Sequence, residues 1–217
     1  MSEIITYDQT SPEILYLCKK DKRLAKVISM VGPISYKKRE VADAYDFLVH
    51  EVIEQMLSIK AGKKIYDRVV DLCDGNLCTE VIDCLSIDDI RNTGTSASKA
   101  RSIKNITEAV LSGSLVLEDL ETMTDSEVIS KLTQIHGIGP WTAKMYLLFV
   151  LGRPNILPYE DGAFLQSYKW MYKTSDCSPA SVKKRCMKWA PHSSLASRYL
   201  YRALDCGLVK EEFHLFK

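Results

Sequence analysis

The residues best suited to chemistry lie around one turn and one carboxylate. Between an apolar-patterned segment through Val128, Ile129 and Leu132 and a second apolar run sits Ile135-His136-Gly137-Ile138-Gly139-Pro140-Trp141. Glycine tolerates positive φ and lets backbone N–H groups approach a bulky anion, and the helix that Pro140 opens presents the positive end of its dipole. A phosphate fits such a turn; an ordinary helix–helix connection fits it too. Downstream, Ile156-Leu157-Pro158-Tyr159-Glu160 reads as an extended approach to Asp161, ahead of an apolar run through Phe164, Leu165 and Tyr168. Asp161 is placed as a helix N-cap, which is a structural role in its own right. A carboxylate facing a helix N-terminus is also favoured in its ionised form, suiting stabilisation of a developing cation better than general-acid work. Trp141 opens a helix that is apolar almost all round, so it is either a stacking face or a core side chain.

The elements that must position these residues read as helices. Ser11-Pro12 opens a first helix, and Asp43 precedes Phe47, Leu48, Val52, Ile53 and Leu57, whose spacing paints one apolar face. Ser86 with Asp89 and Thr124 with Glu127 form capping-box patterns, and Ser178-Pro179 pairs a cap with a first-turn proline. No strand pattern stands out, so the expected fold class is all-α. The breaks are short, and the expected organisation is a single domain over 1–217 with two lobes, 40–152 and 1–39 plus 153–217.

Lys and Arg total 29 against 28 Asp and Glu, a net charge of +1, so any polyanion surface must be local. Basic clusters occur at Lys19–Lys26, Lys37–Arg39 and Lys183–Lys188, although runs of this kind often form only a solvated face. Seven cysteines, an odd number with no Cys-x-x-Cys spacing, argue for free thiols rather than a disulfide framework. His136, within the hairpin, reads as a surface or phosphate-facing residue, and His50, His192 and His214 carry no metal-ligand spacing. The start of the chain lacks a signal-peptide pattern, and no stretch is long and apolar enough for a membrane span, so a soluble intracellular protein is expected.

Four blocks, in order, resemble the helix-hairpin-helix DNA glycosylases with a Gly/Pro-rich loop and catalytic aspartate. Leu132-x-x-Ile135-x-Gly137-Ile138-Gly139-Pro140-Trp141-Thr142-Ala143 is similar to the family's hairpin, and Pro158-x-x-Asp161 to the loop ending in its aspartate. Val52-Ile53-Glu54-Gln55-Met56-Leu57-Ser58-Ile59-Lys60-Ala61 resembles the helix bearing the wedge that fills a vacated base position. Trp189-x-Pro191-x-Ser193-x-x-Ala196-x-x-Tyr199-Leu200-Tyr201-Arg202 resembles the C-terminal helix of the 3-methyladenine DNA glycosylase II branch.

The resemblance implies a two-lobed helical fold without an N-terminal α/β domain, and a monofunctional glycosylase that flips out alkylated purines such as 3-methyladenine and 7-methylguanine. It makes Asp161 the catalytic carboxylate, Trp141, Tyr201 and Met145 the base pocket, and Gln55 and Met56 the wedge. Gly137, Ile138, Gly139 and Thr142 become the phosphate contacts. Bifunctional relatives carry a Schiff-base lysine where Trp141 stands here, and Lys144 does not match it, so an amine-nucleophile lyase is not expected. Cys177, Cys186 and Cys206 are too few and too widely spaced for the iron–sulfur cluster of the endonuclease III branch. No cofactor is expected, with a monovalent or divalent cation on the hairpin backbone left open. The implied partner is double-stranded DNA with damaged bases, bound by a monomer, with no membrane. The implied location is the cytoplasm and nucleoid of a bacterium or archaeon, or a eukaryotic nucleus. Glu160 is a rival carboxylate, and two other readings stay open: a same-fold glycosylase for oxidised or mismatched bases, and a noncatalytic DNA-binding protein.

Overall fold

The computed structural model describes residues 3–216, and helices carry nearly all of their regular structure. In chain order the first elements are β1 (Ile4–Tyr7), α1 (Pro12–Lys20), α2 (Lys22–Val31), β2 (Ile34–Lys37), α3 (Ala44–Glu54) and α4 (Ile59–Leu72). Next come α5 (Thr79–Cys84), α6 (Ile87–Asn92), α7 (Ala97–Leu111), α8 (Asp125–Thr133) and α9 (Pro140–Phe149). The chain continues with α10 (Gly162–Tyr172), α11 (Pro179–Cys186) and α12 (Ser193–Asp205). It divides into two compact units, Met1–Lys38 with Gly152–Lys217, and Arg39–Leu151.

In the unit Arg39–Leu151, caps foreseen from sequence set two helix starts. Thr124 and Glu127 bond reciprocally at the start of α8, and Ser86 and Asp89 do the same for α6. Each such cap stabilises its helix by about 1 kcal/mol. The apolar face of α3 is buried through Phe47, Leu48, Val52 and Ile53, and α9 through Ala143, Met145, Tyr146, Leu147 and Leu148. The Phe47 and Tyr146 rings meet edge to face, 6.4 Å between centroids.

Among the described residues, the departure from an all-helical reading lies in the other unit. β1 and β2 pair antiparallel, Ile4 opposite Lys37 through Tyr7 opposite Ile34. Each is only four residues long, and two helices separate them, so neither the alternation nor a hairpin turn was there to read. Arg198 of α12 lies 3.8 Å over the Tyr36 ring and ties the ribbon to that helix. The core gathers Phe164, Tyr168, Trp189, Tyr199 and Leu200 with apolar residues of α1 and α2. At its edge Asp21 is buried, 3% exposed, and caps α2 by accepting from the N–H groups of Arg23 and Leu24. Its carboxylate also accepts from the Tyr172 hydroxyl, from Trp189 Nε1 at 3.0 Å and from Lys188 Nζ at 3.0 Å.

Candidate functional site

The hairpin is assembled from α8 and α9 of the unit Arg39–Leu151. The Ile138 N–H donates to Ile135 O at 3.0 Å and closes the turn. Gly137 has φ +106°; a Cβ there would overlap the Oγ and Cβ of Ser102 on α7 and lie 3.2 Å from its Cα, so the position requires glycine twice over. Gly139 is the N-cap of α9, with Pro140 following in the first turn. Two amides brace the loop. Gln55 Nε2 donates to Gly137 O and to Thr142 Oγ1, both at 3.2 Å, and Asn105 Nδ2 donates to His136 O at 3.1 Å.

These contacts sort the four hairpin residues expected to meet phosphate. Gly137 and Gly139 shape the backbone, whereas the Ile138 amide is engaged within the turn and Thr142 is completely buried with its hydroxyl on Gln55. Trp141 is half-buried at the start of α9, His136 is exposed, and Met145, one turn beyond Trp141, is 3% exposed.

The expected wedge pair also divides. Gln55, the C-cap of α3, directs its amide into the hairpin, while Met56 is fully exposed with φ +59°. The left-handed conformation costs a residue with a side chain about 1–2 kcal/mol. The turn is held by Leu57 N–H on Glu54 O at 3.0 Å and by Lys99 Nζ, which donates to Ile53 O at 2.7 Å and to Gln55 O at 2.6 Å. Neither Lys99 nor Asn105 is signalled by the sequence, because each acts across the fold on a backbone carbonyl.

In the unit that contains β1 and β2, Asp161 caps α10. Its Oδ1 accepts from Phe164 N–H at 2.7 Å, and the residue is 8% exposed. Its own N–H donates to Pro158 O at 3.0 Å, which bends the approach into the helix. Ser194 at the start of α12 secures that approach by accepting from Ile156 N–H at 2.8 Å and donating to Arg153 O at 2.5 Å. Lys183 lies 4.1 Å over the Tyr159 ring. The neighbouring Glu160 is exposed, and Tyr201 is half-buried on α12. Asp161 and Tyr201 therefore belong to one unit, and Trp141, Met145, Gln55, Met56 and the hairpin to the other.

The basic clusters are partly structural. Arg185 stacks on Tyr172, Lys188 binds Asp21, and Arg23 Nη1 donates to Met171 O at 2.7 Å. Among the described residues, no three His, Cys, Asp or Glu side chains converge as metal ligands would. Nor is any helix long and apolar enough to cross a membrane.

The chain's similarity to known proteins runs through these features. A family model for the HhH-GPD superfamily of base excision DNA repair proteins matches residues 49–192, a span that includes the Met56 turn, the hairpin and Asp161. DNA-3-methyladenine glycosylase 1 of Schizosaccharomyces pombe is 32% identical over 185 residues, covering 83% of this chain and 80% of that protein. The crystal structure of a DNA-3-methyladenine glycosidase from Bacillus halodurans superposes with a TM-score of 0.81 at 32% identity, covering 97% of both chains. The Schizosaccharomyces pombe 3-methyladenine DNA glycosylase in complex with abasic DNA gives a TM-score of 0.84 at 28% identity, over 90% of this chain and 97% of that one. With a family match over most of its length and a relative 32% identical over 83% of it, the chain belongs to the HhH-GPD superfamily of base excision DNA repair proteins.

Proposed function

We propose that this chain is a monofunctional DNA glycosylase that rotates alkylated purines, 3-methyladenine and 7-methylguanine among them, out of duplex DNA and hydrolyses their N-glycosidic bond. The observation that carries this reading is the Asp161 carboxylate held on the N-terminus of α10 by Phe164 N–H. A base in a duplex is out of reach, and extruding it costs a few kcal/mol. Met56, unbranched, polarizable and exposed, fills the vacated position. A purine alkylated at N3 or N7 is cationic, so the faces of Trp141 and Tyr201 attract it. Its bond to C1′ breaks with the electron pair moving onto the base, which leaves neutral without needing a proton. Asp161 supports the positive charge left on the sugar and orients or deprotonates the water that adds to C1′. With Trp141 at the position a Schiff-base lysine takes in bifunctional relatives, hydrolysis is the end point.

A cation on the hairpin backbone would bind only carbonyls, of which His136 O already accepts from Asn105 and Gly137 O from Gln55, so each of these two offers a second lone pair at most. No step above depends on such an ion. The enzyme acts as a monomer, in the cytoplasm and nucleoid of a bacterium or archaeon or in a eukaryotic nucleus. Its affinity for DNA falls with rising salt as Lys and Arg contacts release counterions.

The test is base release from duplexes carrying 3-methyladenine, 7-methylguanine or 8-oxoguanine, with wild type, Asp161→Asn and Glu160→Gln. Release of the methylated bases by wild type and Glu160→Gln but not by Asp161→Asn is expected. Release of 8-oxoguanine alone overturns the substrate class, and undiminished release by Asp161→Asn removes Asp161 from the reaction.

A further inference from the structure

Met56 does not hold its exposed position by itself. Its left-handed backbone joins α3 to α4, and the last carbonyls of α3 have no partner within their own helix. Lys99 supplies that partner from α7. Its backbone N–H is fixed by the Ser96 cap at 3.2 Å, and its ammonium donates to Ile53 O at 2.7 Å and Gln55 O at 2.6 Å, where the negative end of the α3 dipole favours a cation. Partial burial pushes the Lys99 amine below its ordinary value. Gln55, directly before Met56, also bonds through its side-chain amide to Gly137 O and Thr142 Oγ1 of the hairpin.

We infer that Lys99 is a positioning residue for base extrusion: by clamping Ile53 O and Gln55 O it fixes the turn that presents Met56 and, through Gln55, keeps that turn in register with the hairpin. This rests on the glycosylase reading above. A wedge must stay in place against the closing base stack, and a turn in a strained conformation relaxes unless its carbonyls are held. With the clamp intact, the load on Met56 passes into α7 and the hairpin rather than into the turn. Lys99 touches no reacting atom, so its loss should affect extrusion and spare the hydrolytic step.

Single-turnover base release separates the two. The lesion is presented either paired in a duplex or opposite an abasic site, where extrusion is already cheap. Lys99→Met should slow release from the paired lesion by about tenfold or more and from the unpaired one by less than about threefold, with Lys99→Arg recovering most of the difference. If Lys99→Met does not fold, Lys99→Gln, which keeps one donor group, is read by the same ratio and should fall between wild type and Met56→Ala. Equal losses on both substrates, or no loss on the paired one, overturn the inference. A second readout needs no base release: the fluorescence rise of 2-aminopurine beside the lesion on binding should drop in Lys99→Met as it does in Met56→Ala. Should wild type release no base, the glycosylase reading fails alone if this rise still depends on Lys99. A rise indifferent to Lys99, or no rise with wild type, overturns the clamp.

Discussion

Met56 and Asp161 each stand where a helix ends, and the two ends are built in opposite ways. Met56 follows the C-terminus of α3, where carbonyl oxygens gather, and a lysine ammonium from another helix holds them. Asp161 precedes the N-terminus of α10, where N–H groups gather, and its own carboxylate accepts one. Met56 is strained, with φ +59°, and exposed; Asp161 is relaxed, with φ −78°, and 8% exposed. Strain accompanies the side chain that is fully exposed, and relaxed capping the one that is buried. The exposed turn is held from outside by Lys99 on Ile53 O and Gln55 O, and the hairpin by Gln55 on Gly137 O and Asn105 on His136 O.

The largest effect should come from separating the cap from the charge at Asp161. Asparagine caps a helix about as well as aspartate, so Asp161→Asn should leave stability within about 0.5 kcal/mol of wild type in urea unfolding. Base release should fall about a thousandfold or more, because the carboxylate that supports the sugar cation is gone. A large loss of stability with release intact would make Asp161 a cap like any other and dissolve the contrast with Met56.

Asp21, in the same unit as Asp161, shows what a purely architectural capping aspartate looks like. It takes five hydrogen bonds, from two backbone N–H groups, Tyr172, Trp189 and Lys188. Burial alone would raise its carboxyl, but the bonds from Tyr172, Lys188 and Trp189 and the charge of Lys188 outweigh this and hold it below the usual carboxylate value. Asp21→Ala strands those donors and should cost about 3 kcal/mol, with little change in the rate of base release by the protein that remains folded. Because the folded-state value is depressed, the stabilisation is complete above the unfolded value near 4 and is lost as pH falls through the folded one. Urea midpoints at pH 7 and pH 3 should therefore differ more for wild type than for Asp21→Ala.

At the hairpin, Gly137→Ala must push a Cβ into Ser102 and hold φ +106° at the same time. It should cost about 2–3 kcal/mol and weaken DNA binding, whereas Gly139→Ala, at φ −95° with nothing near the added Cβ, should be much milder. Equal effects would mean that the turn is set by something other than the approach of α7.

The helices and their starts were legible in sequence where the signal is local: the capping pairs, Pro140 and Pro179 in first turns, and the apolar faces of α3 and α9. The hairpin glycines and Asp161 stood out for the same reason. Trp141 was ambiguous between stacking and core, and it is in fact half-buried. What the sequence hid depends on contacts between distant residues. The β1–β2 ribbon pairs segments separated by two helices, Asp21 meets Lys188 and Trp189 far along the chain, and Lys99 and Asn105 find backbone carbonyls, which have no sequence identity. Gln55 illustrates the limit most directly. Next to Met56 in a wedge-like block, it reads as half of a pair; only its hydrogen bonds to Gly137 and Thr142 reveal a brace.

Met56→Gly should change stability little, and there the sign matters more than the size. Glycine occupies φ +59° without the clash that a Cβ brings, which returns about 1–2 kcal/mol to the folded state, while its freer unfolded chain takes back about 1 kcal/mol. Net stability should stay level or rise by up to about 1 kcal/mol. Base release from a paired lesion should nevertheless fall, since nothing remains to fill the vacated position, and release from a lesion opposite an abasic site should fall much less. A variant that is as stable as wild type but slow only where a base must be extruded would show that the strain at position 56 serves the reach of its side chain. If Met56→Gly instead unfolds more readily, the exposed methionine is holding the turn rather than being held by it, and the contrast drawn with Asp161 fails at its first term.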